Sequence, residues 1–93
     1  MLVLTRHPLS VVGSAHVKKT GIDIGRRSIQ VLSIDRKNQT VDILMPDGAT
    51  VEFRENESDT VGRTTVTLCR IGTNSVKIGI KVPKNINIFR WDI

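Results

Sequence analysis

The side chains that could carry reaction chemistry are few and scattered. His7, Ser10, His16, Asp23, Asp35, Asp42 and Cys69 are the candidates for nucleophile, base or ligand. Catalysis or metal binding needs such groups at recurring spacings, and the sequence has no nucleophile elbow, zinc pair or phosphate-cradling glycine loop. "GIDIG" at 21–25 holds two glycines, but it leads into a strand rather than opening a helix. His16, beside "VKK", reads as loop surface, and His7 as a surface or turn residue able to donate to a phosphate. Cys69 has no second cysteine to pair with and reads as a small buried hydrophobe. An enzyme is therefore not expected, and neither a cofactor nor a metal site is expected.

Charge is the other chemistry available. The net charge is +5, and it is unevenly spread. Arg6, Lys18 and Lys19 face no acid within residues 1–22 (+3), five bases meet eight acids within 23–60 (−3), and six bases meet Asp92 alone within 61–93 (+5). Basic ends around an acidic middle suggest a polyanion-binding face built from the N-terminal strand and the last third, against the plainer reading of an uneven solvated surface. The aromatic residues are Phe53, Phe89 and Trp91, too few for a base-stacking sheet. A basic sheet edge with few rings is better suited to reading single-stranded bases through its main chain, with guanidiniums on phosphate or guanine. The expected partner is RNA.

These groups must be positioned by strands. Ninety-three residues make one small domain, 39% hydrophobic, in which Ile, Val and Thr are prominent. No apolar run approaches the roughly 20 residues of a membrane span, "MLVLTRH" is too soon polar for a signal peptide, and one cysteine fits a cytoplasmic protein. Met1–Arg6 reads as a strand ended by Pro8, whereas residues 9–22 give a mixed signal. "SIQVLSI", "QTVDILM" and "ATVEF" alternate as strands around "DRKN" and "PDG" turns; "RENESD" reads as a loop; "TTVTLCRI", "SVKIGIKV" and "INIFRW" follow as three more strands. No segment carries a helical period with caps, so the expected class is all-β, a small sheet or barrel of short antiparallel strands.

The chain also matches itself. Residues 24–46 align with 61–83 at an offset of 37, sharing Gly25/Gly62, Arg26/Arg63, Ile34/Ile71 and Pro46/Pro83. Apolar positions coincide at Ile29/Val66, Val31/Leu68, Val41/Ile78, Ile43/Ile80 and Met45/Val82. Alternation alone does not require a shared Gly-Arg start, which favours duplication of a three-stranded meander.

"MLVLTR" at the start, with Asn74–Gly79 and Pro83–Arg90 near the end, resembles the CsrA/RsmA carbon storage regulators, small RNA-binding translational repressors. The resemblance covers roughly 40 residues in the family's order. It implies a single CsrA-like domain over 1–93, with 1–7 as first strand, 24–55 as an inserted or degenerate repeat meander and 61–93 as the family-like meander. It further implies a homodimer with interleaved strands, binding GGA-type motifs in mRNA leaders or small RNA hairpins to repress translation, and open to a protein antagonist. The RNA site so implied combines Leu4, Thr5 and Arg6 with Pro83, Lys84, Ile86, Ile88 and Arg90. In it, backbone at Leu4, Ile86 and Ile88 bonds base edges, Arg6 and Arg90 bind phosphates and bases, and Lys84 adds charge. The sequence departs from the family at His7, where a second basic residue is usual, and at Trp91 and Asp92, which replace an acidic pair. The family's C-terminal helix would begin where this sequence reaches Ile93. The first copy lies within the stretch 23–60 of net −3 and lacks the final arginine unless Arg54 serves, so it is not expected to form an equal RNA site. The alternative function is a β-rich protein-binding module or antagonist of a regulator, with no RNA readout of its own.

Overall fold

The alternation predicted for the second half is met residue by residue: Val66 and Leu68 on one strand, and Val76, Ile78 and Ile80 on the next, are buried, while their neighbours are wholly or partly exposed. The computed structural model describes residues 10–83 and 86–92, and among these it is all β, with no helix. Nine strands follow in order: β1 Ser10–His16, β2 Thr20–Ile24, β3 Arg27–Asp35, β4 Thr40–Leu44, β5 Thr50–Phe53, β6 Ser58–Val61, β7 Thr64–Ile71, β8 Ser75–Lys81 and β9 Ile88–Asp92. They form two antiparallel sheets, ordered β1-β8-β7-β6 (sheet A) and β5-β4-β3-β2-β9 (sheet B). Both inner faces feed one apolar cluster, which includes Ile29, Val31, Val41 and Ile43 from sheet B and Val66, Leu68, Ile78 and Ile80 from sheet A. Phe53 and Met45 fill out the B side.

Three expectations need correction. The stretch of mixed signal holds, within residues 10–24, two strands: β1 pairs with β8, and β2 pairs with β3 and β9. Part of the "RENESD" loop is strand β6, which lacks apolar alternation and is held by its partner, with Ser58 and Thr67 hydroxyls 2.7 Å apart and Thr60 and Thr65 hydroxyls 3.0 Å apart. Cys69 is only half-buried: the inward series on β7 is Thr64, Val66 and Leu68, so alternation turns Cys69 away from the core, and it is the extra residue where the strand bulges before Arg70. The expected strand Met1–Arg6, with His7 and Pro8, lies outside the described residues.

Strand pairing also refines the internal match. The β2–β3 and β6–β7 hairpins agree at the offset of 37, Gly21↔Gln30 with Ser58↔Thr67 and Ile24↔Arg27 with Val61↔Thr64. Beyond the next turn the offset becomes 35, because Ile34 faces Val41 whereas Ile71 faces Val76. Thus Val41 corresponds to Val76 and Ile43 to Ile78, and Pro46 and Pro83 are not equivalent. The β7–β8 turn is two residues shorter, closed by the Gly72 N–H donating to the Ser75 carbonyl at 2.8 Å.

The fourth strand has a different source in each unit. β5 lies beside β4, placing Phe53 opposite Val41, and β1 fills the corresponding place beside β8, placing Ala15 opposite Val76. β9 does not follow β8 in sheet A but crosses to the outer edge of β2. The chain therefore interleaves its own two units.

Candidate nucleic-acid interface

Of the residues the family resemblance points to, Leu4, Thr5, Arg6 and Lys84 lie outside the described residues. The others fall on the approach to β9 and on β9 itself. Pro83 is half-buried, and its carbonyl accepts from the Ile86 N–H at 3.1 Å. Ile86 and Ile88 are partly buried and pack against the core, so their side chains serve the fold rather than a ligand. Arg90 is half-buried and stands opposite Ile22, which places it on the inner face of sheet B at its β9 rim.

The backbone of β9 is oriented by its start. The Gly25 N–H donates to the Asn87 carbonyl at 3.0 Å, so Asn87 turns its peptide groups toward the β2–β3 hairpin. In an antiparallel ladder this alternates, so Phe89 also faces β2 whereas Ile88 turns its N–H and C=O away from it. No strand among the described residues pairs along that outer side. An edge of this kind can read base edges through the main chain.

The outer faces of the two sheets differ in sign. On sheet A, Arg70 stands directly opposite Lys77, and Lys81 opposite Thr65, all three cations exposed. The acid of the sheet A strands, Asp59, sits opposite buried Val66 and so belongs to the inner side. On sheet B, Asp42 stands opposite Glu52 and Asp23 opposite Phe89. The basic ends and acidic middle of the sequence thus become two faces. Sequence reasoning counts Arg70, Lys77 and Lys81 but does not place them together; the signal available is the spacing of Lys77, Gly79 and Lys81 along one strand face. Asp35, at the β3–β4 turn, is held below the ordinary carboxylate range by the Asn38 side-chain amide, with help from the Asn38 backbone N–H.

No family model, curated protein or solved structure matches this chain. Among the described residues no cluster of three or more His, Cys, Asp or Glu could hold a metal ion, and no helix is long and apolar enough to cross a membrane.

Proposed function

We propose that the chain is an RNA-binding post-transcriptional regulator that binds GGA-type motifs in mRNA leaders and represses translation, as in the carbon storage regulators it resembles. The observation that carries the polyanion reading is the Arg70–Lys77 pair. Two like charges directly across adjacent strands destabilise a sheet by a few tenths of a kcal/mol to about 1 kcal/mol. No acid stands opposite either of them in the strand pairing of sheet A, and the nearest carboxylate on this edge, Glu55, is taken up by the Ile71 N–H at 3.0 Å, so a phosphate backbone can supply further counter-charge. The open edge of β9, with Arg90 on its rim, supplies the part that reads bases. The family's interleaved homodimer has an internal parallel in the placing of β1 beside β8 and β9 beside β2.

The test is a titration of a GGA hairpin and a scrambled hairpin at two salt concentrations, with the solution mass measured in parallel. Preference for the GGA hairpin, with affinity falling steeply with salt, is expected. Equal or undetectable binding of both hairpins overturns the reading. A dimeric mass is expected from the resemblance, and a monomeric mass would mean that the internal exchange of β1 and β9 lets one chain perform the work of two.

One observation favours the second reading, a protein-binding module. Phe89 is 65% exposed on the acid-bearing face of sheet B, beside Asp23. An aromatic anchor among carboxylates fits a basic protein partner. Retention of a regulator protein by the wild type and its loss in Phe89→Ala, with no RNA binding by either, would select this reading.

A further inference from the structure

The β2–β3 and β6–β7 hairpins close through two-residue turns, Gly25–Arg26 and Gly62–Arg63. The glycines have φ of +61° and +60°, while neither arginine has positive φ. That combination is the type II′ turn, which requires glycine at the first corner and leaves the second to any L residue. Both second corners are arginine. Arg27 and Thr64, the residues after the turns, stand opposite Ile24 and Val61 and so share the inner faces of the two sheets. The turns accordingly flank the mouth between the sheets at one end of the sandwich.

A cleft of about 480 Å³ opens there, lined by Arg26, Arg27 and Arg63 over apolar surface from Pro46, Val61 and Ile86, with no carboxylate among the described residues of its lining. Its size lies in the range of small-ligand sites. Arg27 is held in place by donating from Nη1 to the Pro46 carbonyl at 3.4 Å. Arg26 and Arg63 are exposed and make no hydrogen bond or ion pair among the described residues. Three guanidiniums around one cleft repel one another unless an anion enters, and the planar fork of each matches two oxygens of a phosphate.

We propose that this cleft binds a ligand carrying two adjacent phosphates, one for each turn arginine, with Arg27 as a third donor. The duplicated Gly-Arg corners make the site two-sided, which suits a phosphoanhydride or two successive phosphodiesters better than a lone anion. The cleft shares Ile86 with the approach to β9, but its three arginines are none of those assigned to base readout there.

The test is an amide NMR titration of the full chain at low salt, first with pyrophosphate, then with a nucleoside diphosphate, then with a short RNA lacking GGA. Saturable shifts centred on Gly25, Arg26, Gly62 and Arg63 are expected with pyrophosphate below about 10 mM, weakened roughly tenfold or more by Arg26→Ala with Arg63→Ala. Arg26→Lys with Arg63→Lys should recover only part of the affinity, since lysine brings charge without the fork. Tighter binding of the nucleoside diphosphate than of pyrophosphate identifies a free nucleotide as the source. Tighter binding of the RNA, also abolished in the double alanine variant, identifies a nucleic-acid backbone. Absence of saturable shifts, or equal affinity in the double alanine variant, overturns the proposal. Arg90→Ala separates this site from the β9 edge, because it should leave pyrophosphate binding intact whatever it does to GGA binding.

Discussion

Leu32 and Cys69 hold the same place in two different sheets: each is the extra residue of a bulge, between Val31 and Ser33 on β3 and between Leu68 and Arg70 on β7, thirty-seven positions apart. Alternation can coincide by chance in two meanders. A bulge at the matching residue is a specific irregularity, and it gives the duplication a structural basis.

If the units are equivalent, matched core positions should cost similar amounts to truncate. Ile43 and Ile78 correspond across the sheets and are 0% and 1% exposed. Ile43→Ala and Ile78→Ala should each destabilise the fold by about 2–5 kcal/mol. Chemical denaturation measures this. A destabilisation confined to one variant would mean that only one sheet belongs to the cooperative unit.

Arg90→Ala is expected to weaken GGA-RNA binding by more than about 1.5 kcal/mol, the scale of a charge-assisted hydrogen bond, with the fold intact. Arg54→Ala should change it far less, since Arg54 lies in the acidic stretch and its backbone N–H donates to the Glu57 carboxylate at 3.0 Å. Filter binding or anisotropy, with a melting curve for each variant, decides between them. A larger effect at Arg54 would move the site to the first unit.

Lys77→Ala should move stability and binding in opposite directions. Removing one member of the like-charged pair with Arg70 is expected to stabilise the free protein by about 0.2–1 kcal/mol. The same change should lower the slope of log affinity against log salt by about 1, as when one phosphate fewer is neutralised on binding. A variant that is less stable, or unchanged in salt slope, would remove this face from the interface.

The β3–β4 turn carries a pH dependence. The Asp35 carboxyl is depressed by its bonds from Asn38, so its contribution to stability is present above the unfolded value and is lost as pH falls through the lowered folded one. Asn38→Ala removes the larger, side-chain cause and keeps the backbone N–H, so it should move the Asp35 titration part of the way toward the ordinary carboxylate value and reduce that acid-side dependence. Carboxyl NMR titration reads this directly, and an unmoved Asp35 in the variant would assign the depression to another group.

Strands β3, β4, β5, β7 and β8 are legible in the sequence because each buries alternate apolar residues against the opposite sheet. β6 is not, since "SDTV" has little to bury and takes its conformation from β7. The change of offset beyond the second turn is hidden for a related reason: a slip of two residues leaves every side chain on its original face, so a period of two cannot detect it. At the candidate interface, the basic ends can be counted but their arrangement cannot. Placing Arg70 opposite Lys77 requires both the register of β7 against β8 and the bulge at Cys69.

The exchanged outer strands also bear on how the chain reaches its native state. The β2–β3, β6–β7 and β7–β8 hairpins join near neighbours, whereas Ser10 meets Lys81 and Thr20 meets Asp92, each about seventy residues away. Closing such loops costs entropy before any contact repays it, so the late steps of folding should be the docking of β1 and β9, at the slow end for a domain of this size. Substitutions in β1 and β9 are then expected to act mainly on the unfolding rate, and those in the local hairpins on the folding rate. Stopped-flow chevrons would distinguish the two groups. The sheet A unit takes its fourth strand, β1, from beyond its own stretch of sequence, and the sheet B unit gains β9 at its edge from the far end of the chain, so cutting out either stretch alone would strip an edge strand from its sheet.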